Sequence, residues 1–200
     1  ANPDLNQQNE KGDSALAYAA NSGHEEIVHL LIDAGANLDN QDNKGRTPLI
    51  YAVNNNQKGT LTLLVQAKAK LNLVDEQGFS ALIWASIHKN NNTVNTLIRA
   101  GIDIEIRSND GFSALIYAFN NYNNNIISTL IDAGAYLGPQ GKDGFTPLIM
   151  AVKGGYKNIT RQLLNRGVNI NHQNHNGDTA LLLALTHGHR DIAKLLLNRG

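Results

Sequence analysis

Four histidines, His172, His175, His187 and His189, form the densest set of side chains able to carry chemistry. Imidazole is a common metal ligand and a general base near neutral pH. A zinc site needs several ligands within about 2.0–2.2 Å of one ion, and no local spacing here guarantees that these four rings converge. Serine and aspartate are plentiful, but no G-x-S-x-G elbow, P-loop or H-E-x-x-H motif is present. The Gly-x-x-Gly spacing seen twice is not a phosphate loop. With no cysteine there is no thiolate nucleophile, no disulfide and no Cys-ligated zinc. These residues predict no catalysis, metal or cofactor within the segment, and leave any enzyme activity to an attached domain.

Composition narrows the partner. The formal net charge is zero, whereas a general nucleic-acid binder needs a basic surface to displace counterions, so nucleic acid is not expected. No apolar run approaches the ~20 residues of a membrane helix, so no membrane insertion is expected. Hydrophobic residues make up 42% of the chain, enough for a packed interior. Charged residues are only 17%, and much of the polarity comes from asparagine runs at 54–56, 90–92 and 123–125. A cytoplasmic location is the default expectation.

A 33-residue period sets the elements that carry these side chains. Gly12, Gly45, Gly78, Gly111, Gly144 and Gly177 keep it through six copies. So do Ala19, Ala52, Ala85, Ala118, Ala151 and Ala184, and Leu31, Leu64, Leu97, Leu130, Leu163 and Leu196. Such self-similarity marks a solenoid. In each copy the glycine suits a tight turn. The Ser or Thr two residues on is placed to cap a helix, and Pro48 and Pro147 suit its first turn. A first short helix, such as 15–21, ends at Gly23, Gly155 or Gly188 in three copies. A second helix carries apolar residues at helical spacing, as in Ile27, Leu30 and Leu31. A short extended hairpin then leads to the next copy.

Thr47-Pro48-Leu49 after Gly45, Gly23-His24, Leu30-Leu31 and Gly35-Ala36 resemble the ankyrin repeat. The resemblance spans essentially the whole chain. It implies an all-α solenoid, an ankyrin stack of helix-turn-helix units joined by short β-hairpin loops. The domain is read as one, residues 1–200, with about six repeats. Because the chain opens on Ala1 and its last copy is not polar, it is read as a fragment of a longer array. The family's histidine after the T-P-L triplet is replaced by Ala17, Ile50, Ile83, Ile116, Ile149 and Leu182, so apolar packing is expected there. At the interhelix glycine, Asn56 tolerates a left-handed backbone. Lys89 and Tyr122 suit it less, and adjoining asparagines are expected to take over. Lys68 also replaces a glycine.

The resemblance further implies a protein-binding scaffold whose concave surface is built from hairpin tips and the first-helix face. The position after the turn glycine belongs to it: Asp13, Arg46, Phe79, Phe112, Phe145 and Asp178. Three phenylalanines in a row at an exposed position suggest an aromatic anchor. The plain alternative is that each ring leans on the next hairpin and fills a gap. A second ladder runs through Tyr18, Tyr51, Trp84, Tyr117, Met150 and Leu183, flanked by residues such as His88 and Asn121. Tyr18 is expected to be structural and Trp84 to have a mixed role. Candidate partner-binding residues are Phe79, Phe112, Phe145, Arg46, Tyr51, Trp84, Tyr117, His88, Asn121 and the tip residue Lys142.

Charge is uneven. Residues 1–33 hold one base against six acids, and residues 133–200 hold eight bases against three acids. Such polarity can steer a partner or set its register. The leading function is therefore a monomeric domain that binds another protein. The alternative is a structural spacer or self-associating segment of a larger multidomain protein, including a bacterial or parasite effector.

Overall fold

The computed structural model describes residues 3–141 and 143–199. Among them, twelve helices fall into six pairs. The first three pairs are α1 (Ala15–Ser22) with α2 (Glu25–Asp33), α3 (Pro48–Asn54) with α4 (Lys58–Gln66), and α5 (Ala81–Ile87) with α6 (Asn91–Arg99). They lie in a first compact unit, Ala1–Ser108. The other three are α7 (Ala114–Asn120) with α8 (Asn124–Asp132), α9 (Pro147–Lys153) with α10 (Lys157–Asn165), and α11 (Ala180–Thr186) with α12 (Arg190–Leu197). They lie in a second unit, Asn109–Gly200.

Each first helix begins where a hydroxyl satisfies one of its free amides. Ser14, Thr47, Ser80, Thr146 and Thr179 accept from the amide three residues on, at 3.2–3.3 Å. Ser113 differs. Its Oγ donates instead to Gln140 Oε1 at 2.6 Å, and no side-chain cap forms. Most such caps contribute about 1 kcal/mol.

Packing follows the period. In the first unit α1 packs on α3 and α3 on α5; in the second, α7 packs on α9 and α9 on α11. The alanine ladder is buried throughout, so small side chains let first helices approach closely. Leu64, Leu97, Leu130 and Leu163 are fully enclosed. Where the family's histidine is missing, Ala17, Ile50, Ile83, Ile116 and Ile149 are buried, which is the apolar packing expected. Leu182 departs from this and is exposed.

The hairpins are thinner than expected. Among the described residues they reduce to single bridges, Gln8 with Ser14, Val74 with Ser80 and Gln140 with Phe145. Tip-to-tip amides join successive turns: Asn43 N to Lys11 O at 3.0 Å, Glu76 N to Lys44 O at 2.8 Å, and His175 N to Asp143 O at 3.1 Å. Gly12 shows why glycine keeps the register. Its φ is +81°, and a Cβ there would stand 2.6 Å from Asn43 N.

The interhelix turns correct one expectation. Lys89 (φ 57°) and Tyr122 (φ 56°) themselves take the left-handed conformation, as Asn56 (φ 58°) does. Asn90 and Asn123 do not replace them. Their side chains cap the second helices, accepting from Thr93 N at 3.2 Å and Ile126 N at 3.1 Å.

Candidate functional site

The hairpin aspartates organise the exposed face. Asp42 Oδ1 accepts from the amides of Lys44 (2.9 Å) and Arg46 (2.7 Å). Its Oδ2 accepts from the Arg46 guanidinium at 2.7 and 2.9 Å. The Tyr51 hydroxyl lies 2.8 Å from Asp42 Oδ2 and 2.7 Å from Asp13 Oδ1, so its one hydrogen serves one carboxylate at a time. Burial works to raise the Asp42 pKa. The Arg46 amide, the Tyr51 hydroxyl, the Arg46 side chain and the Lys44 amide outweigh it and hold the carboxyl below its ordinary value. Burial, then the two carboxylates, drive the Tyr51 phenol upward.

The next repeat uses the same plan with a different ring. Asp75 Oδ1 accepts from the amides of Gln77 (3.0 Å) and Phe79 (2.9 Å). Asp75 Oδ2 accepts from Trp84 Nε1 at 2.9 Å. Phe79 meets Trp84 edge-on, with centroids 5.3 Å apart. His88 stacks on the indole at 5.6 Å with an 11° tilt. His88 Nε2 is 2.9 Å from Asn54 Oδ1. The indole is thus held by a carboxylate, a phenyl ring and an imidazole while staying partly exposed. His88 also lines a cleft of about 580 Å³, together with asparagines 54–56 and 90–92, Lys58 and Lys89.

In the second unit Phe112 meets Tyr117 edge-on at 6.2 Å. Phe112 also lies on Gly141, where a Cβ would stand 2.0 Å from its ring. The Lys153 ammonium sits 5.4 Å from the centroid of Phe145. Asn121 donates its amide to Tyr117 O at 2.9 Å.

The candidate residues therefore separate by burial. Phe79, Phe112 and Phe145 are half-buried, between the exposed anchor and the gap-filler, and Phe112 leans on the next hairpin at Gly141. Arg46, Trp84, Tyr117 and Asn121 are half-buried as well, and His88 is exposed. Tyr51 is only 7% exposed and works as a bracket between hairpins, so it offers a partner little surface. Lys142 lies outside the described residues. Tyr18, expected to be structural, is 64% exposed. Sequence reading missed the role of Asp42 and Asp75. The signal was an aspartate nine residues before Tyr51 and before Trp84.

The histidines do not converge on a metal site. His172 Nε2 is 2.9 Å from Gly144 O, and the His175 ring lies against Gly144. His187 and His189 stack at 5.9 Å. Among the described residues no group of three or more His, Asp or Glu side chains is placed to hold a metal.

Helix pairs in 33-residue register, tied by turn aspartates and hairpin-to-hairpin amides, define a tandem helical-repeat protein. The sequence model described as ankyrin repeats (3 copies) matches residues 1–75, 57–140 and 120–200. The chain belongs to the ankyrin repeat family, whose members are in general protein–protein interaction modules. Among solved structures it is similar to one titled the crystal structure of the ankyrin repeat domain of Bcl-3, a unique member of the IkappaB protein family. The two are 31% identical, with a TM-score of 0.84, over 96% of this chain and 88% of that one. A search of curated proteins gives no match. Among the described residues no helix is long and apolar enough to cross a membrane.

Proposed function

We propose that the chain binds a partner protein through the hairpin tips and first-helix ends, and that Trp84 is its main anchor. One observation carries this reading: a partly exposed indole is fixed by Asp75, Phe79 and His88, and His88 itself lines an open asparagine-rich cleft. A ring already held in place loses little entropy on binding, and amides supply adaptable hydrogen bonds. A partner segment with an exposed backbone and an apolar side chain suits that chemistry. Arg46 extends the face with a guanidinium already anchored on Asp42 and lying 4.5 Å from the Tyr51 centroid. The family's general role and the likeness to an IkappaB-family repeat domain support a binding function. No side-chain cluster described above supports catalysis in its place.

The test compares partner capture by the unaltered chain, Trp84→Ala and His88→Ala, with thermal melts of each. Loss of a discrete captured protein by Trp84→Ala, with the fold retained, supports the reading. Undiminished capture by folded Trp84→Ala rejects it.

A further inference from the structure

Three aromatic residues of the second unit depart from the repeat pattern and meet at one place. Phe119 stands where other repeats hold Ala20, Val53, Ser86, Val152 and Leu185. Tyr122 stands where they hold Gly23, Asn56, Lys89, Gly155 and Gly188. Tyr156 stands where they hold His24, Gln57, Asn90, Asn123 and His189. The centroid of the Tyr156 ring lies 6.0 Å from that of Phe119 and 6.4 Å from that of Tyr122. With Met150, Lys153 and His187 these rings line a cavity of about 340 Å³, walled mainly by the α7–α8 and α9–α10 turns.

Two of these rings cost the fold stability. Tyr122 takes φ 56°, in the left-handed region that bulky side chains disfavour, and the residue is 75% exposed, so packing returns little. Tyr156 stands at the N-cap of α10 and makes no side-chain cap, whereas Asn90 and Asn123 at that position cap α6 and α8. Its hydroxyl is buried without a hydrogen-bond partner. Strained and unsatisfied groups gathered around one cavity mark a place kept for more than the fold. Charge indicates what enters it. The exposed Lys153 rests its ammonium over the Phe145 ring and pairs with no carboxylate among the described residues. No Asp or Glu lines the cavity. Asp132 and Asp191 are already taken, by Arg166 and Lys157. Residues 133–200 carry eight bases against three acids, which draws a partner bearing carboxylates. A nucleic-acid strand follows a track of cations, and a single lysine at the cavity is no such track.

We propose that this cavity is a second docking site, for an acidic segment of a partner protein. An apolar side chain of that segment enters among Phe119, Tyr122, Met150 and Tyr156, and a neighbouring carboxylate pairs with Lys153. The rings and the thioether supply adaptable apolar contact, and Tyr122 is the exposed wall that the fold itself does not need. The site shares no lining residue with the cleft at His88 and does not depend on Trp84.

The experiment is fluorescence anisotropy of labelled peptides titrated with the 200-residue chain. In one set a single Leu, Phe or Tyr lies between glutamates; in the other, lysines replace the glutamates. A labelled oligothymidylate is the nucleic-acid probe. The acidic set should bind, more weakly as salt rises, and the basic set and the oligonucleotide should not. Tyr122→Gly restores the residue that three other repeats hold there. It should melt no lower than the unaltered chain yet bind the acidic set roughly tenfold more weakly. Lys153→Glu, at an exposed position, should lose the acidic peptides and gain the basic ones. Trp84→Ala should bind the acidic set as the unaltered chain does. Absent binding of the acidic set, equal binding of both sets, or preference for the oligonucleotide overturns the proposal. So does full binding by folded Tyr122→Gly, or loss of binding by folded Trp84→Ala. Should Tyr122→Gly fail to fold, Lys153→Glu decides, and an unchanged preference for the acidic set counts against the proposal.

Discussion

The Tyr51 hydroxyl stands 2.7 Å from Asp13 and 2.8 Å from Asp42, so one phenol ties together the hairpins of two consecutive repeats. The bond crosses 38 residues of sequence but only one repeat boundary. Tyr51→Phe keeps the ring and removes the tie. Bonds to charged groups are worth about 1.5–3 kcal/mol, so urea denaturation should show a loss in that range. Asp13→Ala should cost less, because Asp42 remains to receive the hydroxyl.

Asp42 gives the protein an acid limit. Its pKa is lower folded than unfolded, where a free aspartate titrates near about 3.9. The stabilisation is therefore complete above the unfolded value and is lost as pH falls through the lower folded one. Asp42→Asn should melt below the unaltered chain at neutral pH. The gap should close once the medium is more acidic than the folded pKa. Melting temperature against pH for both proteins checks this, and a gap independent of pH would contradict it.

Lys68 adopts φ 66° where Gly35, Gly101, Gly134 and Gly167 stand in other repeats. None of those glycines has another group within 4 Å of where a Cβ would lie, so the requirement is backbone conformation, not space. A left-handed non-glycine residue costs about 1–2 kcal/mol. Lys68→Gly should therefore raise stability by about 1 kcal/mol once glycine's greater unfolded entropy is subtracted. Chemical denaturation should show the gain.

Gln140 is buried and joins three groups: its Oε1 accepts from Ser113 N (3.2 Å) and Ser113 Oγ (2.6 Å), and its Nε2 donates to Tyr136 O (3.0 Å). Leaving such partners unsatisfied costs about 1–3 kcal/mol. Gln140→Ala should destabilise more than Thr47→Ala, which removes a single cap worth about 1 kcal/mol. Urea midpoints of the two variants check the order.

The repeat was legible because periodic positions answer local rules. Gly12 must turn, Ser14 and Thr47 must cap, and Ala19 must be small, whatever stands elsewhere. What escaped the sequence depended on neighbours. Tyr18 and Tyr51 are the same residue at the same register position, yet one is exposed and the other enclosed by what stacks beside it. Ser113 matches the capping pattern, but Gln140, 27 residues away, takes its hydroxyl. Lys89 and Tyr122 adopt a conformation that their own types disfavour, because the turn between packed helices requires it. Of the site, the Trp84 ladder was visible as a pattern. The Asp75 and His88 contacts that hold the indole needed the folded chain.

The most direct test of the binding account is site-specific photo-crosslinking in extract of the source organism. A photoreactive residue replaces His88, beside the indole and the cleft, or Thr62, exposed on the second helix of its pair. The account expects a discrete protein adduct from position 88 that disappears when Trp84→Ala is added, and none from position 62. Adducts from position 62 alone, or an adduct at 88 indifferent to Trp84, would contradict it.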